Sequence, residues 1–446
     1  MKGLHLMVWA VGCAVTLARA EPLVSNVRFS YDAARHHATV TYDLTREAAI
    51  ITLDIVTNAS GHVQGASIGG RNVRSVFGAV NRVIEPAQDL VITWKTDALT
   101  ASPGPYPGLR PVVKAWTLDK PPDVMVVDLS RKVSGGTSYS CFYYPSLAAL
   151  PGGVTENREY KTTKLVIKHI YAPAGGKWVM GSFGEFGMKD NEAQHEVRLT
   201  EDYWMGVFEL TQYQTYLIAG AWPNASNGGG AFFKNADGGV YGMRPLENCC
   251  FNFMRHTAPP AAPGETTVFG YLRARTGYAF DMPGEMQWEY AARCGNPPGQ
   301  WGDGSAMAFT SSSPDSMSMV GDPALNRLSR NIETGGEQGD AALGAFQGTA
   351  IVGSYRANRW GLYDMHGNVK EMCLDYYVAD ITRADGAVQV NPGTPAGSDQ
   401  HVVRGGCYWD WPKNIRPCFR QGQVRNMNNK VIGTRLCAPI APMENR

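Results

Sequence analysis

The sequence predicts an α+β chain of two regions, an all-β sandwich over residues 21–130 and a loop-rich domain over 166–446. Three observations support this prediction. The 446 residues exceed the length of one ordinary domain. Short stretches of alternating hydrophobic residues dominate the first region, and the later sequence is rich in Gly and Pro with little helical periodicity. A hydrophobic fraction of 44% supplies full cores and argues against a disordered chain.

The charge balance limits the classes of partner. The chain has 41 Lys and Arg against 40 Asp and Glu, a net charge of +1. Proteins that bind nucleic acid or an anionic membrane surface carry a clear excess of basic residues. We therefore expect no nucleic-acid partner.

Residues 1–20 have the pattern of an export signal. Lys2 precedes an apolar stretch over 4–17, and Ala18-Arg19-Ala20 forms a small-residue cleavage site. The apolar stretch is shorter than the roughly 20 residues that a transmembrane helix needs. We expect cleavage after Ala20, export to the periplasm or the cell exterior, and no transmembrane anchor.

The first region contains five stretches typical of strands, separated by turn residues. Alternation of apolar and polar residues is the pattern of a strand with one buried face. Several short strands with intervening turns favour a sandwich of the immunoglobulin or fibronectin type III kind. The stretches are His37–Leu44, Ile51–Ile55, Leu90–Trp94, Pro111–Trp116 and Val124–Leu129. Residues 131–165, rich in Ser, Gly, Tyr and Pro, are interpreted as a linker.

Two short helices are predicted in the second region. Thr211 and Gln214 have the spacing of a capping box, in which each side chain bonds the other residue's backbone N–H. The segment Glu285–Arg293 begins with an acid and ends with a base, which matches the helix dipole. Gly295 then ends it.

Eight cysteines follow the predicted cleavage site. An even count in an exported protein favours disulfides, but the sequence does not select a pairing. No two of them have the C-x-x-C spacing of a zinc ribbon or a redox motif. They are Cys141, Cys249, Cys250, Cys294, Cys373, Cys407, Cys418 and Cys437.

Four segments of the second region resemble one family, the formylglycine-generating enzyme (sulfatase-modifying factor) family, in the family's order. The resemblance covers about 166–440 and implies a C-type-lectin-like, loop-rich α+β fold. The segments are Met180–Ser182 with His195–Val197 and Gly206–Gln212, then Phe280–Arg293, then Trp360–Glu371, and finally Arg404–Gly406 with Ile432–Leu436.

The resemblance implies a calcium site in Trp360–Glu371. Asp364 and Glu371 would supply carboxylates, and Gly367 and Val369 would supply backbone carbonyls. Calcium binds about six to eight oxygens of these kinds. The alternative is a turn in which the two acids only bond the loop.

A second, weaker calcium site is also implied. Asn331, Ile332 and the carbonyl of Phe346 match the family positions, but Gly344 stands where the family has a carboxylate. Asp340 is a candidate substitute.

The catalytic residues of the family are missing. Its active members use copper(I) and oxygen to convert a substrate cysteine to formylglycine, with two cysteines at the fourth and ninth positions after Arg-Gly-Gly. Here those positions hold Asp410 and Ile415. Copper(I) prefers soft thiolates, so copper is not expected. Cys407 and Cys418 lie nearby and are interpreted as a disulfide or as buried thiols; they would hold copper only if the loop were rebuilt.

The same segment is rich in aromatic and charged residues that suggest a binding cleft for a peptide or carbohydrate. The alternative is that its tryptophans are core residues. The cleft residues are Tyr408, Trp409, Asp410, Trp411, Arg416 and Arg420. We therefore expect an exported, non-catalytic binding module. The alternative function is a formylglycine-generating or variant oxidase that acts on a cysteine of a sulfatase-type substrate.

Overall fold

The computed structural model describes most of the chain after the predicted export signal. The described residues are 20–32, 34–57, 66–96, 108–132, 137–182, 190–220, 242–296, 299–308, 322–334, 348–379, 389–390 and 399–443. The predicted signal sequence, residues 1–19, lies outside them.

The first region consists of two β-sheets on a common core. One sheet has the order β1-β2-β7-β5; the other has the order β4-β3-β6, with β8 also paired to β3. The strands are β1 Leu23–Asp32, β2 His37–Thr45, β3 Ala49–Thr57, β4 Ala66–Ser67, β5 Ser75–Gly78, β6 Arg82–Ile84, β7 Ala87–Lys95 and β8 Arg110–Trp116. The first four predicted strands are confirmed as β2, β3, β7 and β8.

Hydrophobic side chains from both sheets fill the space between them. Tyr42 on β2, Ile51 and Ile55 on β3, and Trp94 on β7 are fully buried in one cluster. In β2 the buried positions alternate with half-buried ones, as the sequence pattern predicts. This cluster is the core of the first region.

The fifth predicted strand lies elsewhere than expected. β9 (Val124–Lys132) pairs with β10 (Tyr139–Tyr144) and with β11 (Lys164–Ile170), in a sheet of order β10-β9-β11-β14-β22. Val124, Met125, Val126 and Val127 are all buried, which shows that both faces of β9 are covered. β9 and β10 therefore belong to the second region's sheet, within segments that the sequence assigned to the sandwich and to a linker.

The rest of the second region has short strands and few helices. Its other strands are β12 Lys177–Met180, β13 His195–Arg198, β14 Tyr203–Gly206, β15 Ser329–Arg330, β16 His366–Gly367, β17 Lys370–Tyr376, β18 Gln389–Val390, β19 Gln400–Arg404, β20 Arg420–Val424, β21 Ile432–Gly433 and β22 Cys437–Pro439. The described helices are α1 Gln212–Ala219, α2 Phe251–Met254, α3 Val268–Thr276, α4 Glu285–Arg293 and α5 Pro323–Leu328. None of them has the length and hydrophobicity to cross a membrane.

Both predicted helices are confirmed. α1 begins after Thr211, whose hydroxyl accepts from the Gln214 N–H while the Gln214 side chain accepts from the Thr211 N–H. α4 has the predicted bounds, and its Trp288, Ala291 and Ala292 side chains are fully buried. α4 packs against β17 and β19 and so supports the segment that carries the family motifs.

The two regions are in direct contact. The Gly70 N–H donates to the Ala148 carbonyl at 2.9 Å, and the Tyr143 N–H donates to the Asn81 carbonyl at 2.8 Å. A Cβ on Gly70 would lie 2.3 Å from the Leu150 carbonyl oxygen, so only glycine permits this approach. β10 is thus bonded to the first region through its backbone.

Candidate functional site

The candidate site begins where β19 ends, at the sequence Arg404-Gly405-Gly406. Gly405 and Gly406 have φ of +87° and +68°, a conformation that favours glycine. A Cβ on Gly406 would lie 2.7 Å from the Asn414 carbonyl oxygen. The two glycines therefore turn the chain so that residues 407–415 fold back closely on themselves.

The two positions that hold copper-binding cysteines in the family's oxidases have other roles here. The Asp410 carboxylate accepts from the Cys407 N–H at 3.0 Å and pairs with the Lys370 ammonium at 3.1 Å. The Ile415 side chain is fully buried in a hydrophobic cluster with Trp301 and Leu328. Asp410 therefore forms an ion pair, and Ile415 is part of the hydrophobic core.

The two nearby cysteines have separate partners. The Cys407 thiol donates to Asp410 at 3.2 Å, whereas Cys418 lies 3.1 Å from the Arg416 guanidinium. Burial raises the pKa of Cys407 well above its usual range and raises the pKa of the Cys418 thiol to about 12. Both are therefore neutral thiols near pH 7.

The expected disulfides are not present in the described residues. All eight cysteines after the predicted cleavage site lie within those residues, and each is a free thiol. Six of the sulfur atoms contact backbone carbonyls, a methionine, an amide or charged side chains; they belong to Cys249, Cys294, Cys373, Cys407, Cys418 and Cys437.

The predicted cleft residues divide into a surface group and a buried group. Trp409 is 45% exposed, and the Lys430 ammonium lies 5.1 Å from the centre of its ring. Asp410 and Trp411 are half-buried, and Tyr408 is buried. Trp409 is therefore the aromatic side chain of this group that faces solvent.

The two arginines of the predicted cleft are held in the interior. Arg416 is fully buried and bonds the Glu192 carboxylate at 2.8 and 3.2 Å. Arg420 bonds the Glu285 carboxylate at 2.7 and 2.9 Å through both sides of its guanidinium. Both side chains are thus in paired, buried positions and are not presented to a ligand.

Arg420 joins a larger buried ion network through Glu285, which also pairs with Arg404 at 3.4 Å. Glu289 on α4 bonds Arg293 at 2.9 Å and also Arg404. Burial alone would raise the pKa of Glu289, but the two guanidinium groups hold it below its ordinary value. The sequence feature that indicates this network is the spacing of Glu285, Glu289 and Arg293, which lie four residues apart in an otherwise mostly hydrophobic helix.

The predicted calcium residues surround a second buried cluster. The Asp364 carboxylate accepts from the Gly353 N–H at 2.6 Å through one oxygen, while its other oxygen, Oδ1, is buried without a hydrogen-bond partner. Burial raises the pKa of Asp364 to about 6. Gly367 has a φ of +77°, and its N–H donates to the Gly405 carbonyl.

Glu371 is already paired. Its carboxylate accepts from the Arg435 guanidinium at 2.7 to 3.2 Å and from the Trp288 indole at 2.8 Å. Glu209, which the sequence analysis missed, accepts from the Val369 N–H at 3.1 Å. Burial, followed by the charges of Asp364 and Glu371, raises the pKa of Glu209.

This cluster fits a calcium ion only in part. The unpartnered oxygen of Asp364 is a suitable hard ligand, and three acids face two basic side chains, Arg435 and Lys161. Glu371, however, has both oxygens engaged. Within the described ranges, no group of three or more His, Cys, Asp or Glu side chains is arranged to hold a metal ion.

The weaker calcium site is only partly visible. The Asn331 side-chain oxygen accepts from the N–H groups of Glu333 and Thr334, and the Ile332 N–H donates to the Asp410 carbonyl at 3.3 Å. The other predicted residues, Asp340 and Phe346, lie outside the described residues, as does Gly344. Asn331 thus closes its own turn.

Comparison with known families assigns the second region. Residues 158–440, well over half of the chain, match the family described as the sulfatase-modifying factor enzyme 1-like domain. This match confirms the resemblance to the formylglycine-generating enzyme family, and it begins at residue 158 rather than at about 166, the start that the motifs predicted.

The curated relatives match over shorter stretches. The chain is 37% identical over 90 residues to the serine/threonine-protein kinase pkn1 of Chlamydia pneumoniae, which is 20% of this chain and 14% of that protein. It is 28% identical over 129 residues to the formylglycine-generating enzyme of Thermomonospora curvata, which is 28% of this chain and 38% of that protein. The chain therefore spans less than half of the length of these relatives.

Two solved structures are similar to part of the chain. PvdO from Pseudomonas aeruginosa has 18% identity and a TM-score of 0.44, and the match covers 61% of this chain and 94% of PvdO. Treponema denticola variable protein 1 has 20% identity and the same TM-score, over 62% of this chain and 96% of that one.

The burial of the thiols predicts how they react. In native protein at pH 7.5, we expect iodoacetamide to label Cys407 and Cys418 at least about 100-fold more slowly than the half-buried Cys250, because the thiolate is the reactive form and burial disfavours it. Peptide mass spectrometry after timed quenching measures each rate. In denaturant without reductant, all eight thiols should be labelled. Rapid native labelling of Cys407 or Cys418 would contradict this result and indicate a reactive thiolate in the loop.

Proposed function

Because the chain belongs to the sulfatase-modifying factor enzyme 1-like family, we propose that it is a member without oxidase activity that binds a peptide or a carbohydrate. The observation that supports this most directly is the position of Ile415. Its side chain is fully buried among hydrophobic residues at a position where an oxidase of the family needs a thiol.

The chemistry of copper(I) explains why this matters. Copper(I) is a soft ion that prefers thiolates, whereas a carboxylate is a hard ligand and an isoleucine side chain offers no donor atom. The Asp410 carboxylate is also paired with Lys370. Cys407 and Cys418, each with a raised pKa and partners of its own, do not replace the missing pair.

We further propose that residues 1–20 direct export and are removed after Ala20. In this proposal the first region is an immunoglobulin- or fibronectin type III-like sandwich, and the second is a C-type-lectin-like domain. The sandwich would then act as a spacer or as a second contact surface for the binding domain.

The absence of oxidase activity is tested with copper(I), oxygen and a sulfatase-derived peptide that contains the substrate cysteine. We expect the peptide to keep its mass when it is incubated with this protein, because no suitable thiol pair holds the metal. Mass spectrometry of the peptide is the measurement. The formylglycine-generating enzyme of Thermomonospora curvata serves as the positive control.

The same assay tests the alternative function, an oxidase that uses relocated cysteines. Loss of mass at the peptide's cysteine, abolished in Cys407→Ser or Cys418→Ser, would overturn the proposal. A Cys250→Ser variant is the matched control, since Cys250 lies outside the 404–420 segment.

The binding surface is proposed to centre on Trp409. An exposed tryptophan ring beside a lysine and a half-buried acid offers an apolar face with a few polar groups, which is the composition of a recognition site. Arg416 and Arg420 are not included, because their guanidinium groups are occupied by Glu192 and Glu285.

Immobilised peptide and glycan arrays test this surface. We expect Trp409→Ala to reduce binding to the recognised probes at least tenfold, since loss of one buried aromatic contact at a binding surface commonly has this effect. Tyr31→Ala, at an exposed aromatic of the first region, is the matched control and should leave that binding unchanged. Equal binding by Trp409→Ala would exclude Trp409 from the recognition surface.

We also propose that the second region binds calcium with Asp364 as its carboxylate ligand. The unpartnered, buried Oδ1 of Asp364 supports this, as does the surplus of acids over basic groups around it. Calcium there would add positive charge where Glu209 and Asp364 repel each other.

Thermal melts with calcium and with a chelator test the calcium site. We expect calcium at about 100-fold above its Kd to raise the melting temperature by several degrees, since binding at that excess stabilises by roughly 2.7 kcal/mol. Asp364→Asn keeps an acceptor for the Gly353 N–H and should abolish the shift. Asp303→Asn is the control: Asp303 lies outside this cluster and accepts from the Ser305 N–H, and its variant should retain the shift. Identical melts of the wild type with calcium and with chelator would refute the assignment. Glu371→Ala is less informative because it also leaves Arg435 without its partner.

A further inference from the structure

A large cleft lies between the two regions, apart from the residues around Trp409. It has a volume of about 850 Å³, within the usual range for ligand sites. One wall is β5 with the start of β6, the floor is formed by β9 and β10, and the other wall is the segment 151–160. None of the residues assigned above to calcium or to the Trp409 surface lines it.

The cleft runs along the edge of β5. All four residues of β5, Ser75 to Gly78, line it in succession. Side chains of neighbouring strand residues point to opposite faces, so a cavity that contacts four in a row lies along the strand's backbone edge. β5 is also the last strand of its sheet and pairs only with β7 in the described part of the chain. Its other edge is therefore open to one more strand along 75–77, whereas the Gly78 carbonyl already accepts from the Val80 N–H at 3.0 Å.

The floor of the cleft offers apolar contacts beside that edge. Phe142 and Tyr144 on β10 and Val126 on β9 all line it. Phe77, on the wall, is 52% exposed, which is unusual for a phenylalanine. A ligand in this cleft would therefore have aromatic faces along its length.

The acidic side chains of the cleft have hydrogen-bond or ion-pair partners, whereas three of its arginines make no ion pair within the described part of the chain. Its acids already have donors: Glu156 pairs with Arg71, Glu159 pairs with Lys164 at 2.6 Å, and Asp128 accepts from the Ser130 hydroxyl at 2.6 Å. By contrast, the exposed side chains of Arg74, Arg82 and Arg158 line the cleft and make no ion pair with any other described residue. The Arg74 Nε–H donates to the Arg71 carbonyl at 2.7 Å. The charge available to a ligand is thus positive, and guanidinium groups suit carboxylates in particular.

We propose that this cleft binds an extended acidic peptide that adds as a strand to the free edge of β5. The peptide's backbone pairs with β5, its carboxylates meet Arg74, Arg82 and Arg158, and alternate side chains contact Phe77 and the floor. This mode of recognition takes its affinity from backbone hydrogen bonds and its specificity from alternate side chains. The proposal does not depend on the Trp409 surface.

Fluorescence anisotropy on the full mature chain tests the proposal. The probe is a labelled pool of seven-residue peptides in which Asp or Glu alternates with Val, Thr or Tyr. We expect saturable binding that weakens as salt rises, and at least tenfold weaker binding by the double variant Arg82→Glu/Arg158→Glu. Arg198→Glu, at an exposed arginine outside the cleft, is the matched charge-reversal control and should bind as the wild type does.

Further experiments distinguish strand addition at β5 from other kinds of binding in the cleft. The same pool with N-methylated backbone amides should bind at least tenfold more weakly, because methylation removes donors that strand pairing needs. A pool with Lys in place of the acids should not bind, and Trp409→Ala should leave binding unchanged. Absence of saturable binding, equal binding of the methylated or lysine pools, or an unaffected double variant would each overturn the proposal. Capture of dextran sulfate without capture of the acidic peptides would assign the cleft to anionic polysaccharides instead.

Discussion

The second region depends on the hydrogen bonds and ion pairs that its buried arginines make. A domain with short strands and few helices leaves many backbone carbonyls without a partner from a regular ladder, and such groups must be bonded when they are buried. Arg404 donates to the carbonyls of Cys418 and Phe419, and Arg435 donates to those of Gly206, Val207 and Tyr363. Each guanidinium has five donors in a fixed plane, so a single side chain joins several loops.

These arginines require buried acids, and the acids occupy the family motifs. Glu371 neutralises Arg435, and Glu289 neutralises Arg404. Removing one partner of a buried ion pair leaves an uncompensated charge, which is strongly destabilising. The motif residues thus have a structural role that does not require the family's reaction. A chain that has Asp410 and Ile415 in place of the cysteines can therefore retain the scaffold.

Local patterns were sufficient to predict several elements, and long-range pairing was not. The alternation in His37–Leu44, the cap at Thr211 and the charges at the ends of Glu285–Arg293 each depend on neighbouring residues, and all three elements formed as expected. The location of β9 depends on β11, more than thirty residues later in the chain, and alternation alone carries no information about which sheet a strand joins. The pairing of β10 with β9, inside the segment interpreted as a linker, was not predictable for the same reason.

In the candidate site, too, local features were predictable from the sequence and long-range contacts were not. The sequence alone indicated that the copper thiols are missing, because this follows from counting residues after Arg404-Gly405-Gly406. It could not indicate that Arg416 and Arg420 face inward, because their partners Glu192 and Glu285 are far away in the sequence. The cleft beside β5 was likewise invisible, since its walls come from segments whose proximity is created by the contact of Gly70 and Asn81 with the second region.

The pairing of β9 with β11 also limits where the chain can be truncated. The segment that matches the family starts at residue 158, yet its strand β11 lies between β14 and a strand from outside the match. If the chain were truncated at residue 158, β11 would become an exposed, hydrophobic edge strand, and such edges promote self-association. Residues 124–132 therefore complete the sheet of the second region, because β9 covers the edge that β11 would otherwise expose.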